Sequence, residues 1–267
     1  MEMEIAGYVA SALIGISLGL IGGGGSILTM PVLVYLFNVA PALATSYSLF
    51  VVGSSSLVGA WKSYKNGLVS IKTALLFGMS SIGTVFLTRK FIMPAIPEQI
   101  GHVGSYTITK ALLIMVLFAV LMLVAAVSMI RSKTKGKADA VRDKNIPLPG
   151  LLLNGLGIGL VTGLLGAGGG FLLIPSLVLL VKLPMKEAVG TSLLIIALNS
   201  LIGFTGDLGH HIIEWRLLLT ISLLAIAGIF VGSIISKRMS GEKLKAGFGW
   251  FVLAMGIYII VREMLFT

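Results

Sequence analysis

Residues 19–31 read Gly-Leu-Ile-Gly-Gly-Gly-Gly-Ser-Ile-Leu-Thr-Met-Pro, and residues 163–175 read Gly-Leu-Leu-Gly-Ala-Gly-Gly-Gly-Phe-Leu-Leu-Ile-Pro. Each run sits inside a long apolar segment, at matching places in the two halves of the chain. An unbroken apolar segment crosses a bilayer as a helix that satisfies its own backbone groups. Glycines in its middle free N–H and C=O groups at membrane depth, which is tolerated only where they line a cavity or are buried in protein. Broken apolar segments at corresponding positions of two halves point to a transporter's binding site.

The surrounding composition fits that reading. The chain has 267 residues, of which 57% are hydrophobic and 11% charged, and its mean hydropathy is +1.05. Soluble domains carry roughly 25% charge, so lipid must be the solvent. The first apolar stretch does not read as a cleaved leader, because its start is acidic, with Glu2 and Glu4. The net charge of +10 does not imply nucleic acid. The basic residues fall between apolar segments, as in a multi-pass protein of the plasma membrane, where anionic lipid headgroups are their partners. There is no cysteine, and the three histidines show no metal-ligand spacing, so no metal and no cofactor are expected.

Apolar segments run over 5–37, 42–61, 70–93, 106–130, 150–181, 188–206, 214–236 and 246–265. Six of them suit one crossing of about 20 residues; the first and fifth are longer and hold the glycines. The halves repeat at an offset of 144 residues: Pro31 matches Pro175, Ser56 matches Ser200, Lys72 matches Arg216 and Glu98 matches Glu242. Thr45-Ser46 is matched with Thr191-Ser192, allowing two inserted residues. Lys and Arg test the topology. If every segment crosses once, the 20 cations divide 11 to 9, which decides nothing. If segments 1 and 5 enter and return as hairpins, they divide 15 to 5, the strong asymmetry expected of short loops. Hairpins leave three crossings per half, an odd number, so the halves become inverted. The expected fold is therefore an all-α polytopic membrane protein with two related, inverted repeats, 1–130 and 150–267, joined by a basic cytoplasmic linker, 131–149.

Candidate site residues follow from the breaks. Gly22, Gly23, Gly24 and Gly25 with Ser26, and Gly166, Gly168, Gly169 and Gly170 around Ala167, are read as a backbone cradle. Glycine in a helix costs about 0.5–1 kcal/mol relative to alanine, so a cluster is expensive unless the backbone itself is used. Unpaired N–H groups at the break make an anion site, without any buried cation. Close helix packing is the competing use of such glycines. No Lys-Ser or Lys-Thr follows either run, so neither is a phosphate loop. Pro31 and Pro175 either open the return helices or kink them. Thr45, Ser46, Ser48, Thr191 and Ser192 offer hydroxyls to an oxyanion, or bond the backbone of their own helices. Asn199, mid-segment, either lines the pathway or ties helices together. No charged residue falls in the middle of an apolar segment, which argues against a carboxylate proton carrier. Asp207, His210, His211 and Glu214 read as a solvated loop.

The two quoted runs, with Gly190-Thr191-Ser192, resemble the sulfite exporter TauE/SafE family of membrane permeases over nearly the whole chain. The resemblance implies transport of a small sulfur-containing anion: sulfite, sulfoacetate or a related sulfonate. The thiosulfate-uptake relatives rely on cysteines, which this chain lacks. An inside-negative potential drives each negative charge outward by about 2.3 kcal/mol per 100 mV, so export needs no coupling ion and uptake does. A gated anion channel, or transport of other small oxyanions or carboxylates, remains the alternative. No nucleophile–base pair suggests an enzyme, and homo-oligomerisation is left open.

Overall fold

The computed structural model describes residues 2–103, 106–131, 148–179, 181–209, 212–236 and 241–266. In chain order, α1 (Glu2–Ile21) leads into a 3-10 turn (Gly22–Leu28) and a short helix α2 (Thr29–Tyr35). Then come α3 (Pro41–Lys65) and α4 (Ile71–Leu87), which continues through a π turn (Thr88–Ile92) into α5 (Met93–Ala95). Two strands, β1 (Gln99–Val103) and β2 (Tyr106–Thr109), precede α6 (Lys110–Arg131). The second half holds α7 (Leu148–Leu165), α8 (Gly170–Leu179), α9 (Met185–Asp207), α10 (Trp215–Ser236) and α11 (Gly241–Phe266). Among the described residues, five stretches are long and apolar enough to cross a membrane: 41–65, 71–95, 110–127, 185–207 and 215–235. The helix α11, of 26 residues, occupies the eighth apolar segment.

Segments 1 and 5 fold back on themselves. Tyr8 and Phe37 stack edge to face with ring centroids 5.4 Å apart. In one straight helix those residues lie about 43 Å apart at 1.5 Å per residue. Further in, Ile14 and Leu18 of α1 pack with Leu28 and Val32. At the tip, Gly25 lies so close to the backbone of Leu18 that it has no room for a β-carbon. In segment 5, Asn154 and Ile158 of α7 share one cavity wall with Leu172 and Ser176 of α8. Both broken segments are hairpins, as the Lys and Arg distribution favours.

Helix pairing is reciprocal between the halves. The pair α1 and α10 corresponds to the pair α7 and α4, while α3 packs on α9 and α6 on α11. Single contacts repeat at the same offset. A β-carbon on Gly59 would meet Leu193 and Ile229, at 3.2 and 3.6 Å; one on Gly203, 144 residues later, would meet Leu49 and Val85, at 3.3 and 2.5 Å. Gly22 faces Val189 as Gly166 faces Thr45. The offset therefore holds without insertion. Thr45 takes the place of Val189, and Ser48 that of Ser192, which corrects the sequence match of Thr45-Ser46 with Thr191-Ser192.

Close approach at glycines is what binds these helices, because lipid tails are as apolar as leucine and provide no hydrophobic drive between helices. Gly15 abuts the Ala225 carbonyl and Gly159 the Ser81 carbonyl, with no space for a methyl group at either. Large side chains such as Leu75, Met79, Leu153 and Leu223 instead point outward, each more than half exposed. The strand pair was not expected. Gly101 pairs with Ile108 and Val103 with Tyr106, antiparallel, with a bulge between Gln99 and Gly101. Ile100, Val103, Tyr106, Thr107 and Ile108 are β-formers, and the segment lies just before α6, where the apolar reading had begun at 106.

Candidate functional site

The two glycine breaks meet. A β-carbon on Gly23 would collide with the Gly170 backbone, and one on Gly170 with the Gly23 backbone. Gly23 is therefore required for close approach of the two halves, and Gly25 for close approach within its own hairpin. The first break winds as a 3-10 turn in which Gly22 has a positive φ, of 72°. The Ser26 hydroxyl turns inward and donates to the Gly23 carbonyl at 2.8 Å. Pro31 stands in the first turn of α2, where its missing N–H costs least; Pro175 lies within α8. Gly24 belongs to the same turn, and its surroundings lie outside the described residues.

The second break is more open. Gly166, Gly168 and Gly169 all have positive φ, at 69°, 65° and 65°. All are buried, yet among the described residues the amides of Ala167, Gly168 and Gly169 have no hydrogen-bond acceptor. Two hydroxyls stand against this backbone: Thr162 Oγ1 beside Gly169, and Ser200 Oγ beside Gly168. Both are buried without a partner. A buried donor left unpaired costs about 1–3 kcal/mol, and successive amides in left-handed backbone form an anion-binding concavity. The arrangement is a set of donors with no internal acceptor.

Other candidate residues divide. Thr191 accepts from the Ser70 amide at 2.9 Å, capping the start of α4, and Ser192 donates to the Val189 carbonyl at 2.8 Å. Their hydroxyls serve the scaffold. Asn199 ties helices together: Oδ1 accepts from Ser81 at 3.0 Å, joining α9 to α4, while Nδ2 is buried without a partner among the described residues. Thr162 was missed because a threonine on an apolar helix carries no signal until its hairpin partner is known.

Thr45 and Ser46 lead to the largest departure from expectation. Arg89, in the π turn, is 1% exposed. Its Nη1 donates to Thr45 Oγ1 at 2.9 Å and to Asp207 Oδ2 at 3.1 Å, and Ser46 donates to the same carboxylate oxygen. Thr45 is the residue against which Gly166 packs. So a buried ion pair adjoins the second break, contrary to the expectation of no buried cation and of a solvated Asp207. Glu214 is exposed as expected, and His210 and His211 lie outside the described residues. Arg89 Nε and Nη2 are buried without partners. Beside Arg89 lies a cavity of about 210 Å³, lined by Arg89, Lys110, Asp207 and Glu98 with Met93 and Pro94. That is the volume of several waters at about 30 Å³ each.

A multi-pass helical protein with paired membrane hairpins, a donor-lined break and a buried arginine has the construction of a membrane transporter. Comparison with known proteins narrows the class. Residues 8–259 match the family described as sulfite exporter TauE/SafE, and the chain belongs to that family. It is similar to a probable membrane transporter protein of Xylella fastidiosa, 28% identical over 95% of this chain and 94% of that one. It is also similar to the probable membrane transporter protein YdhB of Bacillus subtilis, 25% identical over 88% and 91% of the two chains. Over 42% of its length it is 33% identical to the probable membrane transporter protein MJ0441 of Methanocaldococcus jannaschii. No solved structure matches the chain.

Proposed function

We propose that this transporter carries a small sulfur-containing anion, sulfite or a short sulfonate, held at the second glycine break. The observation behind this reading is the set of buried donors there: the amides of Ala167 to Gly169, with Thr162 and Ser200. A three-oxygen anion accepts from every direction and suits donors converging from backbone and hydroxyls. The first break, with Gly23 on Gly170, supplies the opposing wall. The halves are read as inverted repeats, since each contributes a hairpin and an odd number of crossings, so that rocking one half on the other exposes the break to either side. With no mobile countercharge required, the membrane potential favours export.

The test is flux into proteoliposomes with a panel of sulfite, sulfoacetate, sulfate and acetate. Sulfite or sulfoacetate is expected to move fastest, driven by an imposed potential. A Thr162→Val, Ser200→Ala double variant is expected to lose at least tenfold in flux at normal yield. Full flux in that variant would remove the cradle; a preference for acetate would remove the sulfur anion.

A further inference from the structure

We propose that the cavity at Arg89 is a second oxyanion site, which takes the SO3 head of a sulfite or sulfonate before it reaches the break. The proposal rests on the transport reading above and assigns the adjoining cavity. Arg89 is fully enclosed, yet only one of its three nitrogens is used: Nη1, shared between Thr45 and Asp207. The edge formed by Nε and Nη2 has no partner. That edge is a planar fork which matches two oxygens of one anion. A third oxygen is left for Lys110, which also lines the cavity. The Lys110 ammonium donates once, to the Met93 carbonyl at 2.7 Å, and keeps two N–H groups.

The two carboxylates on this cavity do not close it to anions. Asp207 engages Nη1 and the Ser46 hydroxyl, away from the unpartnered edge. Glu98 is 3.9 Å from Lys110 and its side chain is 82% exposed, so water screens that pair. The second half has no equivalent. At the 144-residue offset Arg89 corresponds to Ser233 and Asp207 to Ser63, and it is Lys62 that donates to Ser233 there. The site thus has no counterpart at the equivalent positions of the second half. Three contacts distinguish its ligand: sulfite and sulfonates fill fork and ammonium together, whereas a flat carboxylate fills the fork alone.

The test is calorimetric titration of the whole protein in phosphatidylcholine nanodiscs, with sulfite, methanesulfonate and acetate as probes. Sulfite and methanesulfonate are expected to bind at least tenfold tighter than acetate. Arg89→Lys, which replaces a fork by a point charge, is expected to raise the sulfite Kd at least tenfold, and Lys110→Met at least threefold. Wild-type affinity in both variants overturns the site. Should Arg89→Lys not give monodisperse protein, Lys110→Met decides alone. A phosphate headgroup offers the same chemistry, so the titration is repeated in phosphatidylglycerol nanodiscs. Equal sulfite affinity in both lipids supports a free anion; loss of sulfite binding in phosphatidylglycerol assigns the cavity to lipid and overturns the proposal. The two readings fail separately. Sulfite that binds through Arg89 but never crosses breaks the transport reading, while flux with Arg89-independent binding breaks this one.

Discussion

The two glycine breaks occupy the same place in each repeat and are built differently. The first is wound: a 3-10 turn, a positive φ at Gly22, and a serine hydroxyl bonded to its own turn. The second is unwound: three glycines at positive φ and, among the described residues, buried amides with no acceptor and two unpartnered hydroxyls against them. Repetition in the sequence thus marks two positions that must be small, while their local conformations differ. In both halves glycine serves close approach and left-handed backbone, the latter at Gly22 in the first break and at Gly166, Gly168 and Gly169 in the second.

Several experiments would break or sharpen that contrast. The largest effect is all-or-none. Both breaks lie at the tips of hairpins, so single cysteines replacing Ile5 and Ala40 should label from one side of the membrane and one replacing Asn66 from the other. The chain has no cysteine of its own to confuse the readout. Labelling of Ile5→Cys and Ala40→Cys from opposite sides would abolish the first hairpin.

Next is the glycine that holds the second break open. Gly166→Ala forces a β-carbon to φ 69° and into the Thr45 backbone, 2.6 Å from its Cα. Gly67 has nearly the same φ, 70°, with nothing near it. Alanine at Gly67 should cost about 1–2 kcal/mol, the left-handed penalty alone. Alanine at Gly166 adds overpacking and should cost about 2–5 kcal/mol in all, read as a lower melting temperature in detergent. Equal shifts for the two would show that the break can relax. The smallest effect lies in the wound break. Ser26→Ala removes one local hydrogen bond, which should cost about 1 kcal/mol and lower sulfite flux less than twofold. A loss in flux as large as that from Ser200→Ala would make the two breaks functionally equal.

Much of this architecture was legible because it rests on backbone chemistry. Glycine clusters cannot continue a membrane helix cheaply, and the cations between segments record which way each crossing runs. Arg89 and Asp207 were not legible. Each stands near the end of an apolar segment, where a charged residue usually meets water, and they are 118 positions apart. The packing of the π turn and of α3 against α9 closes water away from them. The strand pair at 99–109 was missed for a related reason: a few β-branched residues beside a long apolar run are indistinguishable from its beginning.

The contact between Gly23 and Gly170 has a mechanical consequence. Where main chain lies on main chain, no side chain must change rotamer for one surface to slip over the other, and glycine has no side-chain entropy to lose. Interlocked leucines at that seam would act as gear teeth and permit motion only in steps. If the halves rock as proposed above, this contact acts as a bearing, and resistance comes from the side chains beside it, such as Ile196, and from the helices around it.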